Sequence, residues 1–119
     1  MSSVAGLEGV IASALEVISI EEAASVPPGT FSEAELAYAR SKTDPARRLA
    51  TRLAAKRAAA LLLAIDPREI EVLPARGGPP RLRLSGRAQA KLEERGARRI
   101  LVSLTHGRTH AAAAVLLLR

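Results

Sequence analysis

Between residues 12 and 64 the apolar positions of the chain recur at helical spacing, and beyond residue 66 they alternate with polar ones. Ahead of both, "VAGLEGVI" at residues 4–11 reads as a short strand broken by Gly6 and Gly9, with Glu8 between them. From residue 12 to 24, Leu15, Val17, Ile18 and Ile20 suit a short helix, stopped by Pro27, Pro28 and Gly29. Ser32-Glu33-Ala34-Glu35 is a capping box: the serine hydroxyl takes one free backbone N–H while a glutamate carboxylate reaches back for another. A helix to about Arg40 follows. Asp44 and Pro45, an N-cap with proline at the first helical position, open a longer one. It runs through "RLATRLAAKRAAALLLA" and ends near Ala64, before Asp66 and Pro67.

In the second half, "REIEVLP" and "RLRLS" flank the turn "ARGGPP" and predict a β-hairpin. Ser85 caps a helix through Arg95, with Gly96 at the left-handed stop. "RILVSLTH" and "HAAAAVLLL" are two further strands around a short "GRT" turn. The order strand, three helices, two strands, helix, two strands makes the chain an α+β protein with one domain over residues 1–119.

The 119 residues suffice for one modest core, and 48% of them are apolar. Phe31 and Tyr38 are the only aromatics, so Leu, Val, Ile and Ala must build that core by close packing. The absence of cysteine excludes disulfides and thiolate metal sites. No apolar run is long enough to cross a bilayer, and the N-terminus lacks the basic-then-apolar pattern of a secretory signal; a cytoplasmic location is the expectation. Eighteen basic side chains against twelve acidic ones give a net charge of +6, which favours anionic partners: nucleic acid, phosphorylated cofactors or acidic proteins. The shortage of aromatics argues against nucleic acid, because single strands are held on stacking platforms.

Arg48, Arg52 and Lys56 fall at i, i+4 and i+8 and stack three like charges on one helix face. The column is either a solvated basic face or a ladder for phosphate groups. Arg57 falls instead on the stripe of Leu53, Ala54, Ala60 and Leu61, which reads as the inward face. A guanidinium there either runs its stem along the core with its head in water, or pairs with a carboxylate from another element, for which Glu8 is the candidate. His106 ends one strand and His110 begins the next; without further ligands nearby they favour no metal site, and His106 suits a phosphate contact or a strand-end cap. No GxGxxG, P-loop or Ser-His-Asp pattern occurs.

"FSEAELAYARSKTDPARRLATRLAAKRA" resembles the central signature of the holo-(acyl-carrier-protein) synthase family, and "VSLTHGRTHAAAAVLLL" its closing "VSLSHERxYAVAVVVL". "PRLRLSGRA" is similar to that family's hairpin and following helix, so the resemblance covers essentially the whole chain. It implies helices packed on a small antiparallel sheet, and a homotrimer with active sites at subunit interfaces. It also implies a Mg²⁺-dependent 4′-phosphopantetheinyl transferase. Such an enzyme moves the phosphopantetheine arm of coenzyme A to a serine of acyl carrier protein and releases 3′,5′-ADP. Cations and metal would neutralise the pyrophosphate while the hydroxyl attacks in line.

At the family's metal site this sequence departs. The Asp of an N-terminal "GxGxDIVEI" strand falls, without gaps, on Glu8, and the Glu after the signature lysine falls on Arg57. A carboxylate pair that attracts Mg²⁺ becomes an acid–base pair that repels it, so a Glu8–Arg57 salt bridge is expected in the vacated site, and no bound metal. A family lysine is Leu61 here, a "GTG" loop is shortened to "AIDPRE", and the Arg-rich helix that docks the carrier protein reads "SALEVISIEEAA". Arg52, Lys56 and His106, the last near the family's nucleotide, are retained beside Arg48. The resemblance therefore implies a homologue whose catalysis is impaired or lost, with coenzyme A, 3′,5′-ADP or a partner subunit as its ligand. The competing readings are an active transferase in which Arg57 assists at a metal-poor site, and a basic nucleic-acid-binding module.

Overall fold

Alanine decides how the longest helix packs. A computed structural model describes residues 9–119, and in it Ala50, Ala54, Ala55, Ala58 and Ala59 of α2 (Pro45–Leu63) are wholly buried. Side chains of one methyl group let the helix lie close against a sheet, and Leu53 and Leu63 fill the space at its flanks. That sheet has the order β1-β5-β4, all antiparallel, from β1 (Val10–Ser19), β4 (Arg99–His106) and β5 (His110–Leu118). Its inner face presents Ala111, Ala113, Val115 and Leu117 from the central strand. The hairpin of β2 (Ile70–Leu73) and β3 (Arg81–Leu84) is a separate two-stranded sheet, whose Ile70 and Val72 are buried. The helices α1 (Glu33–Arg40) and α3 (Gly86–Glu94) complete the α+β architecture.

Most boundaries fall where the caps put them. Ser32 and Glu35 close both halves of the capping box at the head of α1. Ser85 accepts the Ala88 N–H at the head of α3, and Gly96 takes the left-handed conformation after it (φ 79°). Asp44 occupies the N-cap position of α2 before Pro45, yet its side chain makes no cap hydrogen bond. It accepts instead from Arg48 Nε at 3.1 Å, one turn along the helix.

The predicted helix at residues 12–24 does not form. Those residues are most of β1 and a 3₁₀ turn, Ile20–Ser25. Leu15 and Ile18 are three apart and mimic a helical face. What settles the matter is the partner: β1 pairs with β5 from Ala12↔Leu117 to Ser19↔His110, and β-branched Val17 and Ile18 suit a pleated surface. The period is two: Ile18 is buried and Leu15 and Val17 point out. Of the strand expected at 4–11, Val10 and Ile11 begin β1; residues 4–8 lie outside the described residues.

Outward side chains run in cross-strand rows: Ser13–Leu116–Leu101, Leu15–Ala114–Ser103 and Val17–Ala112–Thr105. Leu15 is 68%, Val17 57% and Leu101 46% exposed. No described helix is long and apolar enough to cross a membrane.

Close helix–sheet packing has a testable cost. Ala54→Leu is expected to lower stability by about 1–3 kcal/mol through overpacking. A lower urea midpoint at unchanged slope checks this; an unchanged midpoint would mean that the gap between helix and sheet is loose.

Candidate functional site

The cations of α2 divide into three environments, set by their angle around the helix. Lys56 is 1% exposed, and its Nζ lies 2.8 Å from Glu35 Oε1. Glu35 is just as buried, and it also accepts the Ser32 N–H (2.8 Å) and the Val72 N–H (2.9 Å). One carboxylate thus caps α1, neutralises the lysine of α2 and holds an edge of β2. The Phe31 ring stands 5.9 Å from the ammonium. Lys56 is therefore no part of a surface ladder, and of the two neighbouring cations it, not Arg57, is the one fully inside.

Arg52, one turn earlier, is 4% exposed and lies over the Tyr38 ring, 4.3 Å from its centre. Its Nη1 donates to Thr51 Oγ1 (3.3 Å) and to the Arg48 carbonyl (3.4 Å), while its Nε has no partner among the described residues. Burial pulls Arg52 below the usual guanidinium range, and the Tyr38 phenol opposes that shift. Arg48 is open and paired with Asp44. The hydrogen bond from Arg48 holds the Asp44 carboxyl below its ordinary value, with a smaller contribution from the charge of His106. Arg48 and Arg52 line a cavity of about 250 Å³ with Tyr38, Pro79, Pro80 and Ser103. His106 stands exposed at the end of β4, across the three-residue turn from the equally exposed His110 that opens β5, whose Nδ1 contacts Thr109 Oγ1 at 2.8 Å. Arg48, Arg52 and His106 so gather at one end of the molecule.

Arg57 belongs elsewhere. It lies nine residues beyond Arg48, about 13 Å along the axis and half a turn around it. Its Nη1 pairs with the Glu22 carboxylate of the 3₁₀ turn, and both side chains are partly open, 32% and 42% exposed. Leu61, expected beside it on the inward face, is 70% exposed. Arg57 forms a wall between two clefts. The smaller, about 290 Å³, includes Val26, Pro27, Leu53 and Arg68; the larger, about 700 Å³, includes Glu16, Leu61, Ile65 and Arg87.

Glu8 lies outside the described residues, and the expected Glu8–Arg57 salt bridge with it. The acids beside Arg57 include Glu22, its ion-pair partner, and Glu16 and Asp66, which line the larger cleft with it; the first two are overlooked as its neighbours when their segment is read as a helix. A signal for Glu16 was present: "ASALEVISI", residues 12–20, has the same spacing as "GxGxDIVEI", with Glu16 at the acidic position and Ala12 and Ala14 at the glycines. A divalent cation does not fit what surrounds Arg57. Mg²⁺ requires oxygen donors in octahedral array, a guanidinium offers no lone pair, and the Glu22 carboxylate is already engaged. Among the described residues, no three His, Cys, Asp or Glu side chains converge as a ligand set.

An Ala-packed helix on a three-stranded antiparallel sheet, with cations on opposite sides of that helix, defines a small α+β protein with a basic central helix. Comparison with known proteins gives the family. No family model matches the sequence. A holo-(acyl-carrier-protein) synthase of Syntrophus aciditrophicus is 35% identical over 118 residues, 94% of this chain and 92% of that protein. One from Nitratidesulfovibrio vulgaris is 49% identical over 80 residues, which are 62% of this chain and 64% of that relative, just under two thirds of its length. The solved complex of the Chronobacterium ammoniagenes synthase with coenzyme A superposes with a TM-score of 0.72 at 27% identity, covering 90% of this chain and 96% of that one. The chain belongs to the holo-(acyl-carrier-protein) synthase family.

The two partners of the buried pair differ in their alternatives, and that predicts an order of stability. Glu35→Ala strands a buried ammonium and two backbone N–H groups, at a cost of about 3–5 kcal/mol. Lys56→Met leaves the Glu35 carboxylate its two N–H donors and costs less. Urea denaturation of both variants checks the order; Lys56→Met as the more damaging change would contradict it.

Proposed function

We propose that this chain is a 4′-phosphopantetheinyl transferase homologue that binds coenzyme A between the subunits of a homotrimer in the cytoplasm, and that its metal-dependent transfer step is impaired or lost. The observation that carries the reading is the guanidinium of Arg57, ion-paired with Glu22, at the position where the family signature has a metal-binding carboxylate. Glu16, which shares the larger cleft with Arg57, takes the place of the family's strand aspartate in this reading, and Glu8 does not.

Ligand binding is supported by the other end of the helix. Arg48 and Arg52 border a cavity, His106 stands at that end, and the buried Nε of Arg52 still has a hydrogen bond to give. A phosphate there would take charge-assisted bonds from both arginines. Lys56 serves this site from behind, holding the helix by its bond to Glu35. A ligand reaching both Arg48 and Arg57 would have to wrap round α2 on one subunit. Two halves from adjacent subunits remove that difficulty. The outer face of the sheet is suited to such an assembly, since Leu15, Val17, Leu101 and Leu116 form an apolar surface on a chain otherwise rich in charge.

Docking of an acyl carrier protein is weakened in this reading. The segment that carries arginines in the family is here a strand and a 3₁₀ turn bearing Glu21 and Glu22, which would repel an acidic partner. Arg57 acting on the pyrophosphate in place of Mg²⁺ remains the second reading, favoured by its access to solvent.

Incubation of apo-carrier protein with coenzyme A and Mg²⁺ is expected to leave the carrier's mass unchanged, while calorimetry shows coenzyme A binding to the purified chain. A magnesium-dependent mass increase would overturn the impaired reading, and silence in calorimetry the coenzyme reading. Light scattering is expected to give three times the chain mass, falling to a single chain in Leu15→Lys. A monomeric wild type would remove the trimer.

A further inference from the structure

We infer that one side of α3, carrying Arg87, Lys91 and Arg95 and continued by Arg98, is a docking ridge for a protein that presents an acidic helix. The inference rests on the family reading only for the kind of partner it names. The ridge uses no residue of the cavity around Arg48 and does not require Arg57 to bind a ligand.

Helical spacing sorts the ridge out of a mixed sequence. Arg87, Lys91 and Arg95 stand at i, i+4 and i+8, within about 80° of one another around the axis and spread over about 12 Å along it. Ala88 and Leu92, on the adjoining side, are buried and seat the helix. Glu93 is turned to the far side, where it accepts from Gln89 Nε2 at 3.1 Å. After the left-handed Gly96 the chain enters the sheet, and the Arg98 N–H donates to the Leu118 carbonyl at 2.7 Å. Alternation with Ile100 and Val102 puts Arg98 on the sheet face that the helices cover, while Arg99 falls on the outer face with Leu101.

Among the described residues these cations are poorly matched. Like charges at i and i+4 repel, and Arg87 sits in the first turn of α3, at the positive end of the helix dipole, where no acid offsets it. Its side chain is 70% exposed and 3.7 Å from Glu69, and Lys91 lies 3.6 Å from an equally open Glu94. Arg95 and Arg98 are exposed and make no salt bridge with any described residue. Such a stripe is unfavourable to α3 alone and becomes favourable against a row of carboxylates, which one side of a partner helix repeats at the same spacing. A continuous phosphate chain suits it less, because Glu94 stands at the edge of the stripe and α3 has no aromatic side chain on which bases could stack. Charge also sets the direction of approach. Arg87 begins the ridge at the cleft lined by Glu16 and Asp66, and Glu21 and Glu22 stand on the 3₁₀ turn. Those acids keep an acidic partner along α3 and off that turn.

The test is titration of the purified full chain with an apo-acyl carrier protein, an acidic protein, by interferometry at low and at physiological salt. Wild type is expected to bind at low salt and several-fold more weakly at physiological salt. Lys91→Gln with Arg95→Gln removes two charges but keeps good helix formers; it should weaken binding about tenfold and flatten the salt dependence. Arg40→Gln with Arg76→Gln, an equal change of net charge at exposed positions away from α3, should alter affinity less than about twofold. An α3 pair that leaves affinity unchanged, or a control pair that loses as much, overturns the inference. So does double-stranded DNA that binds tighter than the carrier protein and is lost with the same α3 pair. Coenzyme A calorimetry on the same samples separates the two readings. Coenzyme A bound with the carrier protein silent overturns only the ridge; carrier protein bound through α3 with coenzyme A silent overturns only the coenzyme reading.

Discussion

Glu35 is a carboxylate removed from water, and three elements meet because it must be satisfied without it. Its two oxygens take an ammonium from α2, a backbone N–H from the head of α1 and another from β2. Leaving such a charge unpaired would cost several kcal/mol, a large part of what holds a domain of this size together. The bond to Lys56 fixes the rotation of α2 about its own axis, and the positions of the other cations follow. Arg52, a turn earlier on nearly the same side, is carried under Tyr38. Arg57, the next residue on, is turned away by about 100° and emerges at a cleft.

Two cationic environments therefore exist on one helix, and they differ in kind. Around Arg48 and Arg52 the guanidinium groups are braced, one by Asp44 and the other by an aromatic ring with a spare donor behind it. Around Arg57 the cation is loosely occupied by a side chain from a short turn. In the family to which the chain belongs, the second position carries a carboxylate. Here that position is a guanidinium paired with Glu22, while the fold beneath it is that of the family. Caps, core and sheet do not depend on the residue after Lys56.

Where local signals were complete, they were sufficient. The capping box of α1 and the serine cap and stop glycine of α3 act within four residues, so the chain states them directly, and the hairpin and the last two strands appear with the boundaries their alternation implies. The first strand was not legible in that way. Its Leu15, Val17, Ile18 and Ile20 satisfy a helical spacing nearly as well as an alternating one, and the strand that decides between them lies some ninety residues further along the chain. Reading that segment as a helix hid Glu22, the ion-pair partner of Arg57, and Glu16, which shares its larger cleft. The family pattern in residues 12–20 was the clue that did not depend on period.

By itself, the sequence determined the α+β class, the caps, the β2–β3 hairpin and the presence of a second cation directly after Lys56, because each is fixed by residue type and short-range spacing. Only the tertiary structure decided that Lys56 is the buried charge and Arg57 the accessible one. Helical periodicity gives the angle between neighbouring side chains, but which angle points inward is set by where the packed sheet and the Glu35 carboxylate stand, and those come from distant parts of the chain.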